Sequence, residues 1–156
     1  MIECRKMNRE SSEDAFSLLR SFLSEDEYYL DSSAVYGGGG EPELRRALDL
    51  FLRSPELGFV WLAYFEGEPV GVCMVCFAIS TSVGGIVAKL DDVFVIGSKQ
   101  SQGIGSALLQ DLKQELLDRG VLRIDTSVHL QNERAKRFYH QQGFRQLDEE
   151  KLACVL

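Results

Sequence analysis

Apolar residues recur every fourth position from Ile104 through Leu108 and Leu112 to Leu116, a spacing that lines one face of a helix. A helix is therefore predicted over about 103–119, with Gly120 as its C-terminal stop. Two earlier stretches share the period. Phe16, Leu19, Phe22 and Leu23 predict a helix over 12–24, begun by Ser11 and Asp14 in a capping-box-like arrangement. Leu44, Ala47, Leu48 and Phe51 predict another, opened by Pro42 and stopped before Pro55. From residue 58 the pattern becomes that of strands: "GFVWLAYFE" and "PVGVCMVCFAIS", joined by the hairpin signal "EGEP", then "GIVAKLDDVFVI" over 85–96.

The ends of the chain complete the order. "IECRKM" reads as a first strand and "LRIDTSV" (122–128) as a later one. "NERAKRFYHQQ" (132–142) reads as a helix with Ala135, Phe138 and Tyr139 on one face, capped by Gly143. "FRQLDEEKLACVL" closes the chain as a strand with a break near its acids. The alternation of strands and helices in the last half requires parallel pairing with a crossover. The expectation is an α/β fold: a mixed central sheet, antiparallel in its N-terminal strands and parallel near its end, flanked by about four helices.

Length and composition fit that picture. The chain has 156 residues, 45% of them apolar, enough for one core and one domain over 1–156. No apolar run approaches the roughly 18 residues of a membrane span, and the polar start "MIECRKMNRESSED" lacks the features of a signal peptide. The expected location is cytoplasmic. A net charge of −7 argues against nucleic acid as a partner. Acids dominate the first sixty residues, whereas acids and bases nearly balance in the last sixty. The first part would suit a cationic ligand and the last would tolerate an anionic one; scattered surface charge explains the same split.

Cys73 and Cys76 form a CxxC, but within a strand-like run side chains three apart point to opposite faces. They are expected to be buried reduced thiols, with no metal site. A metal or redox protein built on the pair would need bound zinc or a thiol-dependent activity.

The informative stretch is "SKQSQGIGSALL", where Gly103 and Gly105 stand at the helix start. Each costs roughly 1 kcal/mol against alanine in a helix interior. A helix N-terminus offers unpaired amides and a partial positive charge to a phosphate, and glycine lets the ligand come close. A tight strand-to-helix turn explains a bare GxG equally well. A dinucleotide fingerprint is excluded by Leu108 at its third glycine position, and a P-loop by the lack of a Lys-Ser or Lys-Thr pair.

Gln100-x-x-Gly103-x-Gly105, after the strand "KLDDVFV" and before "NERAKRFYHQQGF", resembles the signatures of the GCN5-related N-acetyltransferase (GNAT) family. The resemblance is strong over about 85–144. It implies an acetyl-CoA-dependent N-acetyltransferase, using acetyl-CoA as co-substrate and no metal. The strand 90–96 would splay from its parallel neighbour. Its amides at Val93 and Val95 would meet the pantetheine arm and the acetyl carbonyl. Gln100, Ser101, Gln102, Gly103, Ile104, Gly105 and Ser106 would form the diphosphate loop. Asn132, Ala135 and Tyr139 would contact the CoA arm. The first loop position is more often Arg in the family, and Gly is common where Ser101 stands. Lys99, Arg134, Lys136 or Arg137 would then supply charge, although solvated surface is an adequate account of Lys136 and Arg137.

The resemblance also assigns roles in the chemistry. Tyr139 would protonate the leaving thiolate. Asp91 resembles the acid that serves as base in the diamine acetyltransferase branch. Asp92, expected on the face shared by Leu90, Phe94 and Ile96, would have a packing, substrate-binding or catalytic part. Glu27, Tyr28 and Tyr36, in the acidic and aromatic connection between the first two helices, would bind a small polar or cationic amine. A solvated acidic loop explains these three residues as well, and a protein or peptide acceptor stays open. So does a non-catalytic acyl-CoA-binding regulatory module. A homodimer is one assembly the resemblance allows.

Overall fold

The computed structural model describes residues 1–25 and 40–156. Five strands form one sheet in chain order: β1 (Ile2–Lys6), β2 (Gly58–Phe65), β3 (Glu68–Ser80), β4 (Gly85–Val95) and β5 (Ile124–Thr126). The first four pair antiparallel, and β4 pairs with β5 in parallel. Among the described residues, four α-helices flank the sheet: α1 (Ser12–Glu25), α2 (Glu41–Arg53), α3 (Ile104–Asp118) and α4 (Glu133–Gln141). The mixed sheet and helix pattern expected from the sequence is present.

Both faces of the sheet are covered, which is why β2 and β3 read as long apolar runs. On one face, Phe16, Leu19 and Phe22 of α1 and Leu44 and Leu48 of α2 pack on Val60, Leu62, Val72 and Met74. On the other, Ile104, Leu108, Leu109, Leu112 and Leu116 of α3 pack on Trp61, Cys73, Val75 and Leu90. The four-residue spacing that predicted α3 is thus the stripe it buries.

Local details differ from the sequence expectation in three places. Ser11 exchanges hydrogen bonds with Asn8, each backbone amide donating to the other's side-chain oxygen at 2.9 Å. Asp14 is therefore free of any capping duty, and it accepts the Tyr64 hydroxyl at 2.8 Å. β5 is shorter than 122–128, although the Leu122 amide still donates to the Ile86 carbonyl at 3.0 Å. Beyond Thr126 it has no strand to pair with. The closing strand is absent: residues 144–156 hold no regular structure, and Leu147, Leu152, Val155 and Leu156 are exposed. Asp148, Glu149 and Glu150, poor strand formers, interrupt that segment.

Leu108 is fully buried at the centre of the α3 stripe. Leu108→Ala is expected to lower the unfolding free energy by about 3 kcal/mol. The expected observation is a lower denaturant midpoint with an unchanged slope.

Candidate active site

The site begins with an irregularity in β4. Val72 of β3 lies opposite Phe94 and Met74 lies opposite Asp91, so Asp92 and Val93 together oppose the single residue Cys73. This is a β-bulge, and Asp92 takes the left-handed conformation with φ 53°. The extra residue reverses the alternation of side chains. Leu90 packs on the α3 side of the sheet, whereas Phe94 packs on the α1 side against Phe22, ring centroids 5.6 Å apart. The expectation that Leu90 and Phe94 share a face, with Asp92 among them, is corrected by this bulge. Asp91 lies across from Met74 and therefore on the α1 side, paired with Lys89 at 3.7 Å and with a side chain 38% exposed.

Past the bulge β4 and β5 part. Their parallel pairing ends at Leu90 and Thr126. The Ile96 amide donates to the Val70 carbonyl of β3 at 3.0 Å. Strand alternation then turns the amides of Val95 and Val93 toward the opposite, unpaired edge. Thr126 marks the fork: its hydroxyl donates to the Leu90 carbonyl at 3.2 Å, and its side chain lies beside the Tyr139 phenol.

The two loop glycines have different physical reasons. Gly103 caps α3 in the left-handed conformation, φ 79°, with open space where a side chain would begin. Gly105 is a packing site: a Cβ there would stand 3.2 Å from the Phe138 ring of α4. Its bareness serves the α3–α4 contact more than access for a ligand. The first bonded amide of α3 is that of Ala107, which donates to the Gly103 carbonyl at 3.0 Å. The helical amides before it have no intrahelical partner. Ser106 is tied to α4 through the Gln142 side chain, which donates to its hydroxyl at 3.0 Å. Gln102 donates to the Ser98 carbonyl at 3.2 Å.

Ser101, like Asp92, is a non-glycine residue held left-handed, with φ 67°, a conformation that costs an L-residue roughly 1–2 kcal/mol. Its hydroxyl accepts from Arg134 of α4 at 3.1 Å. Gln100 accepts from the same guanidinium at 3.1 Å and donates through its other side-chain atom to the Val95 carbonyl at 3.0 Å.

α4 starts at Asn132, whose side chain accepts from the Ala135 amide at 3.1 Å. It places Tyr139 over the fork, between the rings of Phe138 and Phe144, each 5.3 Å away. Burial pushes the Tyr139 phenol far above its ordinary value; Cys73, Asp91 and Asp92 add to the shift and the Thr126 side chain opposes it. The group is a protonated hydrogen-bond donor throughout the neutral range. Cys73 and Cys76 lie on opposite faces, as the strand period requires. Burial raises the Cys73 thiol well above its ordinary value, which makes it a poor nucleophile. Among the described residues no group of His, Cys, Asp or Glu could hold a metal ion, and no helix is long and apolar enough to cross a membrane.

Asp92, Val93, Val95, Thr126 and Tyr139 thus lie about the fork, Asp91 lies on the other face of the sheet from Tyr139, and Arg134 lies against the loop 100–106. Glu27, Tyr28 and Tyr36 lie outside the described residues. Thr126 and the Arg134 contacts to Gln100 and Ser101 carry no mark in the sequence, because they depend on how β5 and α4 are set against β4. A cavity of about 390 Å³ lined by Arg5, Asn8, Glu10, Ser11 and Asp14 opens beside β1, across the sheet from β5, and shares none of these residues.

Residues 17–144 match the family model described as the acetyltransferase (GNAT) family. The chain belongs to that family. The acetyltransferase finds no match among curated proteins, but its fold recurs in solved structures. An integron cassette protein from the mobile metagenome of Cole Harbour Salt Marsh superimposes with a TM-score of 0.78 at 25% identity, over 98% of this chain and 90% of that one. AAC(6')-Iy in complex with the bisubstrate analog CoA-S-monomethyl-acetylneamine gives 0.77 at 15% identity, over 100% and 99%. An aminoglycoside acetyltransferase from an uncultured soil metagenomic sample, in complex with trehalose, gives 0.76 at 16% identity, over 99% and 96%. Acetyltransferases of this family use acetyl-CoA.

In this acetyltransferase, Gly103→Ala is expected to lose about 1 kcal/mol of stability by forcing a Cβ into the left-handed cap. Gly103→Asn should lose less, since Asn tolerates that conformation. Paired chemical denaturation of the two variants checks the order.

Proposed function

We propose that the acetyltransferase moves acetyl from acetyl-CoA to the primary amine of a small polar or cationic acceptor, by direct attack in a ternary complex. One observation carries the reading: a half-buried phenol, Tyr139, stands at the fork where β4 turns free amides away from β3. The reading extends to one catalytic domain over 1–156 in which no cysteine acts as nucleophile. The aminoglycoside acetyltransferase fold-neighbour supports a small-molecule acceptor, as does the acid excess of the N-terminal part.

The loop fits a diphosphate. Gly103 leaves its surroundings open, the first amides of α3 are unpaired within the helix, and Arg134 brings a positive charge. Residues 101–106 would hold the phosphates, and the Val93 and Val95 amides would hold the arm and the acetyl oxygen. Fixed amides stabilise charge as it develops on that oxygen. An alkylammonium titrates near 10.4, so the acceptor must lose a proton before attack. Asp91, on the α1 side and partly exposed, takes that proton directly or through water. The nitrogen lone pair forms the new C–N bond, the C–S bond breaks, and the second N–H proton leaves to water as the amide forms. Tyr139 gives its proton to the departing thiolate, while Thr126 supports the phenol oxygen. Asp92 shapes the fork through its left-handed backbone.

An amine panel tests the whole reading: free CoA thiol should appear with at least one small amine. Acetyl-CoA bound tightly without turnover on any amine would mark a binding module instead. Tyr139→Phe should lower kcat by about 10²-fold with little change in acetyl-CoA affinity; equal rates would remove the acid role.

The pH dependence separates the two proton carriers. Because the Tyr139 phenol is raised, its ionisation should cause no loss of rate below about pH 10, the ordinary tyrosine value. A base must be deprotonated, so the rate should climb with pH on the acidic limb. Asp91→Asn should erase or displace that limb, and an unchanged profile would assign the proton transfer to another group.

A further inference from the structure

We propose that the acceptor amine carries a carboxylate beside its nitrogen, and that Lys89 is the residue that selects it. The inference rests on the acetyl-transfer reading above and narrows its acceptor to an α-amino acid.

The basis is a strip of charge on the α1 side of the sheet. Lys89 lies two residues before Asp91 in β4, so the two side chains share that side. Asp125 of β5 stands in register with Lys89 and shares it too. Arg123 pairs with Asp125 and reaches Ser80 and Ser82 at the β3–β4 turn. α1 and α2 pack over β2, β3 and Phe94. The four charged side chains beyond them are 38–44% exposed, open enough for a ligand to touch. The strip holds two cations and two anions. It therefore offers a simple cation no net attraction, and it suits a dipolar molecule.

The two ion pairs have the same spacing in the chain and differ in closure. Arg123 holds Asp125 by bonds of 2.8 and 3.0 Å and gives further bonds to Ser80 and Ser82 at 3.4 and 3.2 Å. That pair is satisfied. Lys89 stands 3.7 Å from Asp91, too far for a hydrogen bond. Nothing on β5 pairs across from Asp91, because the ladder ends one residue earlier, at Leu90 and Thr126. This second pair is open. An ammonium laid on Asp91 and a carboxylate laid on Lys89 would each form a charge-assisted hydrogen bond. The nitrogen and a carboxylate oxygen of an α-amino acid are three bonds apart and span roughly 3 Å, which matches the gap between the two groups.

Position supports the same assignment. Asp91 is the last charge of the strip before the bulge, and beyond it β4 and β5 part. A molecule lying along the strip with its nitrogen at Asp91 has that nitrogen at the fork. Tyr139 packs on the α3 side, so the acceptor and the leaving thiolate would be served from opposite faces of the sheet.

Three matched sets of acceptors test the assignment: the L-amino acids, their carboxamides, and the amines left when the carboxyl group is removed. Release of CoA thiol is measured for each, with rates expressed against unprotonated amine. At least one amino acid should exceed its amide and its decarboxylated amine in kcat/KM by about tenfold or more, the contribution of a charge-assisted hydrogen bond. Lys89→Met should bring that amino acid down toward its amide, through KM, and Lys89→Arg should keep most of the preference. Amides, decarboxylated amines or polyamines used as well as the amino acids overturn the inference and leave the acetyl-transfer reading standing. Equal slowing of amino acids and amides by Lys89→Met overturns it too, since Lys89 would then act on Asp91 alone. Acetyl-CoA bound without transfer to any amine overturns both.

Discussion

Everything at the site depends on one extra residue in β4. A strand without a bulge would keep pairing with β5, and its amides would be spent on the ladder. Because Asp92 and Val93 share one partner, Cys73, the strand bends and the parallel pairing stops at Leu90 and Thr126. Asp92 in a left-handed conformation is a local cost of about 1–2 kcal/mol. Two well-buried faces offset it, with Leu90 anchored on the α3 side and Phe94 on the α1 side.

The second support is α4. It is short, and its own contribution to stability is small because isolated helices of that length are marginal in water. What fixes it is contact: Phe138 and Tyr139 pack against the α3-side core, Gln142 bridges to Ser106, and Lys113 reaches the Gln142 carbonyl. The helix that carries the phenol is therefore registered on the helix that carries the loop. Arg134, from the same helix, closes the arrangement on the loop side.

Much of this was legible in the residues, and the rest was hidden for definite reasons. The leucine stripe of α3, the β2–β3 hairpin and the order of elements follow from periodicity, because burial imposes that period. The side of the sheet taken by Phe94 was misjudged, since a bulge shifts alternation by one residue and leaves no composition signal. The strand expected over the last residues failed because alternation describes a chain's preference and not the presence of a partner edge. The glycines were recognised but their reasons were only half visible: Gly103 answers to a backbone angle, whereas Gly105 answers to Phe138, thirty-odd residues away in the chain. Thr126 is an ordinary residue in the sequence and Arg134 one of several candidate cations; tertiary placement alone brings them to Leu90, Tyr139, Gln100 and Ser101.

The contact between Gly105 and Phe138 makes two distant positions share one volume. A Cβ at 105 would stand 3.2 Å from the Phe138 ring, so a larger residue there requires that ring, or α4 with it, to give by a few tenths of an ångström. The room at one position is thus set by the girth of the other, and the tilt of the phenol-bearing helix is coupled to a single methyl's worth of space.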